Sequence, residues 1–441
     1  MTAEIAIMNK EAIALATDSA VTIGREREQK IFPSANKLFT LSKYYPVGIM
    51  VYGSASFMGI PWESIIKIYR NKLGKQKFDT LKEYTDNFIS FLNNGNPLFP
   101  EAQQKKHLYG NTFSYFALIK KDIEERIESV IREEGKVTNT QIEQITSDVI
   151  KEHYNKWEKT KMLPSIPKNH IKNIISKYED VIDKAIEEVF EKLPISKNAS
   201  EQLKKIAGSL FAKSPEDISP PDISGVVIAG FGEKDTFPSL KSFDIEGVVN
   251  NKLKYKEKLY SEINFENTAT IIPFAQGEMV ATFMEGINPY LQKQMEGYLS
   301  EIFDKYPEVI VEKIEKFDDS EKQRLKQKLK KVSNEIFKGY LKNVATYRRE
   351  NYVDPVMRVV GMLPKDELAS MAESLVSLTA FKRKVTMESE TVGGPIDVAV
   401  ISKGDGFIWI KRKHYFEAEL NPQFFSNYYY TIIGGKKNEK E

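Results

Sequence analysis

Threonine at position 2 becomes the first residue of this chain once Met1 is removed. A terminal threonine carries its hydroxyl and a free α-amine on one residue. That amine titrates near pH ~8, so a usable fraction is free base at neutral pH. Pairing a hydroxyl with the terminal amine is a recognised way to activate a weak nucleophile. Many ordinary proteins have threonine at this position, so Thr2 gains meaning only from its neighbours. Asp18 ends the second of two apolar segments, on the face of Ala14 and Ala16, and a hairpin would return it to the vicinity of Thr2. Lys37 shares an apolar face with Phe39 and Leu41, where a lysine needs a buried acid partner. Asp18 is that partner in this reading. A cation held beside the terminus favours the deprotonated amine and hydroxyl. The same pair is equally a structural salt bridge, and small Ala14 and Ala16 are equally packing residues or room beside a nucleophile.

Other chemistries find little support. The chain has no cysteine, which removes disulfides, thiolate metal sites and cysteine catalysis, and fits a reducing compartment. Its histidines, His107, His153, His170 and His414, are scattered among charged residues, against a His-based triad or a zinc site. Nucleophile elbow, phosphate loop, dinucleotide fingerprint and HExxH motif are all missing from the sequence. No metal and no organic cofactor are expected. The 64 Lys and Arg nearly cancel the 62 Asp and Glu, which argues against nucleic acid or an acidic membrane surface as partner. Glu4 sits where a signal peptide wants positive charge, and the longest apolar run, 47–52, is far short of the ~20 residues that span a bilayer. A cytoplasmic protein without membrane association is expected.

The elements that must position these residues read as follows. Short β segments are predicted at 3–8 and 12–17, turned at 9–11, then at 37–41 and 47–52, followed by a helix over 54–73. Lys and Glu with apolar residues at helical spacing fill 75–220. Strands return at 225–231 and 239–245, joined by the turn 232–235, and at 269–273 before a helix from about Gly277. A second charged helical stretch covers 290–349, and its run Glu321 to Lys326 reads as a solvated face. A helix at 368–381 and strands at 396–401 and 407–410 close the pattern. Helices grouped between sequential hairpins predict antiparallel sheets covered by helices, an α+β chain.

Several of these segments resemble the proteasome β subunits and the related bacterial ATP-dependent protease subunit, members of the N-terminal nucleophile (Ntn) hydrolases. The likeness rests on Thr2-Ala-Glu-Ile-Ala-Ile followed by Ile13-Ala-Leu-Ala-Thr-Asp18-Ser19, on Asn36-Lys37-Leu38-Phe39, and on Gly48-Ile-Met-Val-Tyr-Gly53-Ser-Ala. It resumes at Val226-Val-Ile-Ala-Gly230-Phe-Gly with Pro238-Ser-Leu, at Ala275-Gln276-Gly277, and at Gly393-Gly394-Pro-Ile-Asp-Val-Ala-Val-Ile, covering about half the chain. The resemblance implies a four-layer αββα sandwich of antiparallel sheets with large helical insertions. The division would be core at 1–74, 223–288 and 363–441, with insertions at 75–222 and 289–362. It implies Thr2 as nucleophile, Asp18 and Lys37 as catalytic partners, and a backbone N–H of Tyr52 or Gly53 as oxyanion donor. Ser19, Gln276, Ser389 and Glu390 fall at supporting positions. The departures are Ala20 for the usual Arg, a longer loop before Lys37, Tyr52 at the oxyanion glycine, Gln276 for a helix-start serine, and Ser389-Glu390-Thr391-Val392 before the glycine pair. The expected activity is threonine-type cleavage of peptide bonds by a self-associating protein, with a further protein partner possible through the insertions. A small-molecule amidase and a catalytically inactive scaffold are the alternatives.

Overall fold

The computed structural model describes residues 3–23, 30–93, 95–217, 223–386, 392–423 and 426. Its strands in chain order are β1 (Ala3–Asn9), β2 (Ala12–Thr17), β3 (Val21–Ile23), β4 (Lys30–Phe32), β5 (Leu38–Thr40), β6 (Val47–Gly53), β7 (Ser56–Phe57) and β8 (Ile60–Pro61). They continue with β9 (Ser224–Gly230), β10 (Ser239–Val249), β11 (Lys252–Glu262), β12 (Ala269–Ala275), β13 (Asp397–Ser402) and β14 (Gly406–Lys411). The helices of the first half are α1 (Trp62–Leu73), α2 (Leu81–Leu92), α3 (Glu101–Glu134), α4 (Asn139–Lys159), α5 (His170–Lys177), α6 (Glu179–Phe190) and α7 (Lys197–Ser209). Those of the second are α8 (Glu278–Glu285), α9 (Pro289–Glu312), α10 (Asp319–Arg348), α11 (Asp354–Val360) and α12 (Lys365–Val385). The protein is a mixed α and β chain whose sheets are built from antiparallel pairs. No helix among the described residues is long and apolar enough to cross a membrane.

The chain divides into two compact units. The first holds the residues up to Leu38, Phe265–Val400 and the chain from Ile408. Its five-stranded sheet is ordered β12-β1-β2-β13-β14. Alternation along β1 and β2 puts Ala3, Ile5, Ile7, Ala12, Ala14 and Ala16 on one face, where they form a core with Leu368, Ala372, Leu375 and Val376 of α12. Small residues on the strands let this helix lie close. Ala14 and Ala16 therefore serve helix–sheet packing. The opposite face carries Glu4, Ala6 and Met8 of β1, with Ile13, Leu15 and Thr17 of β2, and every one of these is also buried.

The second unit, Phe39–Asn264 with Ile401–Phe407, carries the sheet β11-β10-β9-β6-β5. Helices α1 and α2 cover one face through Trp62, Ile65, Ile66, Tyr84 and Phe88, packed on Val47, Ile49, Val51, Val226 and Ile228. Helices α3 to α7 form their own core around Phe116, Ile119, Ile150, Trp157, Ile182 and Leu203. One local expectation fails here, and one strand escapes the sequence pattern. The helix expected from Ser54 begins at Trp62, because Gly53 and Gly59 take positive φ and a small β7–β8 hairpin intervenes. Strand β11 has no counterpart in the sequence reading, since Lys stands at every second position from Lys252 to Lys258 on a strand that borders the sheet.

Candidate active site

The described residues converge on Asp18. It follows β2 directly and is wholly buried, so its carboxylate needs partners, and it has four. Oδ1 accepts from the backbone N–H of Ala3 at 3.1 Å and from Lys37 Nζ at 2.7 Å. Oδ2 accepts from the N–H of Ala20 at 3.1 Å and of Gly393 at 3.0 Å. Two oxygens offer about four lone-pair sites, so the carboxylate is saturated. The Asp18 N–H donates in turn to Ala3 O at 3.1 Å. Asp18 thus holds the backbone of Ala3 at both its N–H and its carbonyl. Lys37 lies just before β5 and is also buried, so the pair is a desolvated one in which each charge depends on the other.

The neighbouring segments lock this arrangement. The Ser19 N–H donates to Gly393 O at 3.1 Å and its hydroxyl to Pro395 O, while the Ala35 N–H donates to Ser19 O at 2.9 Å. Gly394 has φ of +79°, and a Cβ there would stand 2.8 Å from both Pro33 O and Pro33 Cβ, so only glycine fits. Ser19 therefore supports the loop that carries Gly393.

Glu4 is the residue that sequence reasoning passed over. It lies opposite Thr17 in the β1–β2 register, and it is 2 % exposed. The Thr17 hydroxyl is 3.0 Å from Asp18 O and 3.4 Å from Glu4 Oε1, and shares one proton between them. Glu4 Oε2 is buried without a hydrogen-bond partner among the described residues. Burial pushes the Glu4 carboxyl up to about 8, against the pull of Lys37 and with a further push from Asp18. Burial thus favours the neutral acid form of Glu4, beside a Lys–Asp ion pair. The signal was available: one acid at an inward position of the apolar run Ala3 to Met8.

Neither a family model nor a curated protein matches this chain.

Thr2, Ser389 and Glu390 lie outside the described residues. Gln276 accepts from Arg383 Nε at 2.8 Å, in the turn between β12 and α8. The residue before it, Ala275, pairs with Ala3 in the register and has φ of +62°, a left-handed conformation costing a non-glycine residue roughly 1–2 kcal/mol. Tyr52 and Gly53 belong to the second compact unit, at the end of β6, where they pair with Gly225 and Ser224. Gly53 has φ of +81°, and a Cβ there would stand 2.5 Å from Ile223 O. The Tyr52 ring occupies the space a side chain at Gly225 would need. Among the described residues no group of His, Cys, Asp and Glu is placed to hold a metal.

Proposed function

We propose that this chain is a threonine-type Ntn hydrolase that cleaves peptide bonds, with its two antiparallel sheets stacked in an αββα sandwich and its action in the cytoplasm. The observation that carries this reading is the double engagement of Asp18, which binds Lys37 Nζ at 2.7 Å and the N–H of Ala3 at 3.1 Å. A nucleophile at residue 2 would then be tied to the residue that orients the lysine. In this mechanism Thr2 Oγ attacks the carbonyl carbon and its proton passes to the free α-amine, directly or through water. Lys37, held by Asp18, favours the deprotonated states. The amine returns the proton to the leaving nitrogen, and water then hydrolyses the ester to Thr2. A backbone N–H of Tyr52 or Gly53 would stabilise the oxyanion, a contribution typically worth ~10²–10³ in rate. No step calls on a metal or organic cofactor. The unusual φ of Ala275 across from Ala3 adds support, since backbone strain concentrates at functional sites.

One observation favours an inactive scaffold instead. The Asp18 carboxylate already receives four hydrogen bonds, as a purely structural staple would. Intact mass with a threonine-directed β-lactone or epoxyketone separates the two. Loss of Met1 and a single adduct that disappears in Thr2→Ala is expected for the hydrolase. A retained Met1, or a free Thr2 that never reacts, leaves the scaffold.

A further inference from the structure

Helices α9 and α10 form an antiparallel hairpin whose outer face is too apolar for water. Ser333 Oγ donates to Phe303 O at 2.6 Å, Phe303 stacks on Phe337, and Lys326 and Lys330 both reach Glu308 at 2.8 Å. These contacts hold the two arms together. Even so, the buried residues are only Pro307 and Val311 of the 24 in α9, and Ser333 of the 30 in α10. Helices of such length usually owe their stability to a buried face.

That face is present but uncovered. On α9, Leu291, Met295, Tyr298, Ile302, Tyr306 and Val309 are exposed, Tyr298 to 68 % and Tyr306 to 62 %. At about 100° per residue they fall within an arc of roughly 80°. On α10, Val332, Ile336, Tyr340 and Tyr347 are exposed and share one arc in the same way. Each stripe is turned roughly 100° from the side that meets the other helix, and in the same rotational sense. In antiparallel helices the same sense points to the same side. The two stripes therefore make one continuous surface. A cavity of about 190 Å³ at the base of the hairpin agrees, because Met295, Tyr340 and Tyr347 line it together.

We propose that this surface is covered by the same surface of a second copy of the chain, giving a four-helix bundle about a two-fold axis. Charge selects the occupant and its orientation. Helix α9 has five acidic and two basic residues, a net −3, whereas α10 has nine basic and three acidic, a net +6. A dyad running along the hairpin sets each α9 antiparallel against the partner's α10, so opposite charges meet at both rims. A dyad across the hairpin would set like arms together. The surface is about 36 Å long by ~20 Å wide, or roughly 700 Å² per copy, close to the ~800 Å² per partner of a standard interface. This inference does not depend on catalysis.

The absence of cysteine makes the test clean. Stacked Phe303 and Phe337 place Ile302 and Ile336 at the same height, and a dyad along the hairpin keeps that height. Ile302→Cys and Ile336→Cys chains of different mass, mixed and treated with a short bismaleimide, are expected to give the mixed cross-link in preference to either homodimer. In sedimentation equilibrium, Ile302→Glu with Ile336→Glu should weaken self-association at least roughly 100-fold, since it buries unpaired charges. Both positions are exposed in one copy, so the thermal midpoint of the dilute variant should not change. A full chain that stays monomeric at about 100 μM overturns the proposal. So does association that survives both glutamates, or cross-linking confined to identical positions.

Discussion

The two long helical regions look alike in sequence and behave differently in the fold. Both α3–α7 and α9–α10 are rich in Lys and Glu with apolar residues at helical spacing. The first closes on itself. Trp157, Phe116, Ile119, Ile150, Ile182 and Leu203 are each no more than 2 % exposed, and Trp157 meets Tyr115 edge-on with centroids 5.5 Å apart. The second keeps most of its large side chains in water. The difference is geometric. Five helices surround an apolar interior, whereas two arms share one seam and leave their other faces bare. Helical periodicity reports that a face exists; it does not report what covers it.

The largest expected effect would break this comparison if it failed. Trp157→Ala should cost about 3–5 kcal/mol, through lost burial and the cavity left behind. Ile336→Ala in dilute protein should stay within about 0.5 kcal/mol, because an exposed side chain leaves no cavity. Urea unfolding of both variants measures the contrast. Equal losses would mean that the hairpin is covered within the single chain.

Much of the fold was legible where burial is complete. Strands β1, β2, β6, β9 and β13 are apolar runs bounded by turn residues, and each was found within a few positions of its ends. Strand β11 is not legible in the same way, because its second half, Lys256 to Tyr260, is exposed on a border strand that tolerates charge. The run at Glu321 was read as a solvated face, yet Glu321 also closes a capping box with Asp318, a role that spacing alone permits but does not require. At the site, the Asp18–Lys37 pair could be anticipated from one rule, that a lysine on an apolar face needs an acid. The Gly393 N–H could not, since a backbone donor from 375 residues away leaves no mark of its own. Glu4 is legible as the one acid within the apolar run Ala3 to Met8, a position whose meaning comes from burial on both faces of the strand.

A smaller effect sharpens the comparison through buried ionisable groups, which the sheets and the first helical region contain. For Glu4 the folded value of about 8 lies above the ordinary 4.5. The folded chain therefore holds a proton that the unfolded chain has lost, and stability falls as pH rises from about 4.5 to about 8. Glu4→Gln removes the titrating group and should flatten that part of the thermal-midpoint profile, with a gain of a few kcal/mol near pH 8. If hydrolysis is confirmed, the same variant tests whether the neutral acid matters to the pH profile of turnover.

The smallest effect has the opposite sign and belongs to the first helical region. His107, His153 and His170 all lie there, and α9–α10 has no histidine. His170 opens α5 with its ring buried and Nε2 without a hydrogen-bond partner among the described residues. Burial, with some repulsion from Lys252, lowers its value from 6.5 to about 4. The unfolded chain then binds the extra proton between those limits, so stability is full above pH ~6.5 and is lost as pH falls towards 4. His170→Gln should flatten this acid limb and leave the alkaline limb set by Glu4 unchanged, because the two groups belong to different compact units. Acid-induced loss of amide protection should accordingly appear first in α5 and its neighbours. An acid response that begins instead in α9–α10 would mean that charge repulsion among its lysines, and not a buried ring, limits the protein at low pH.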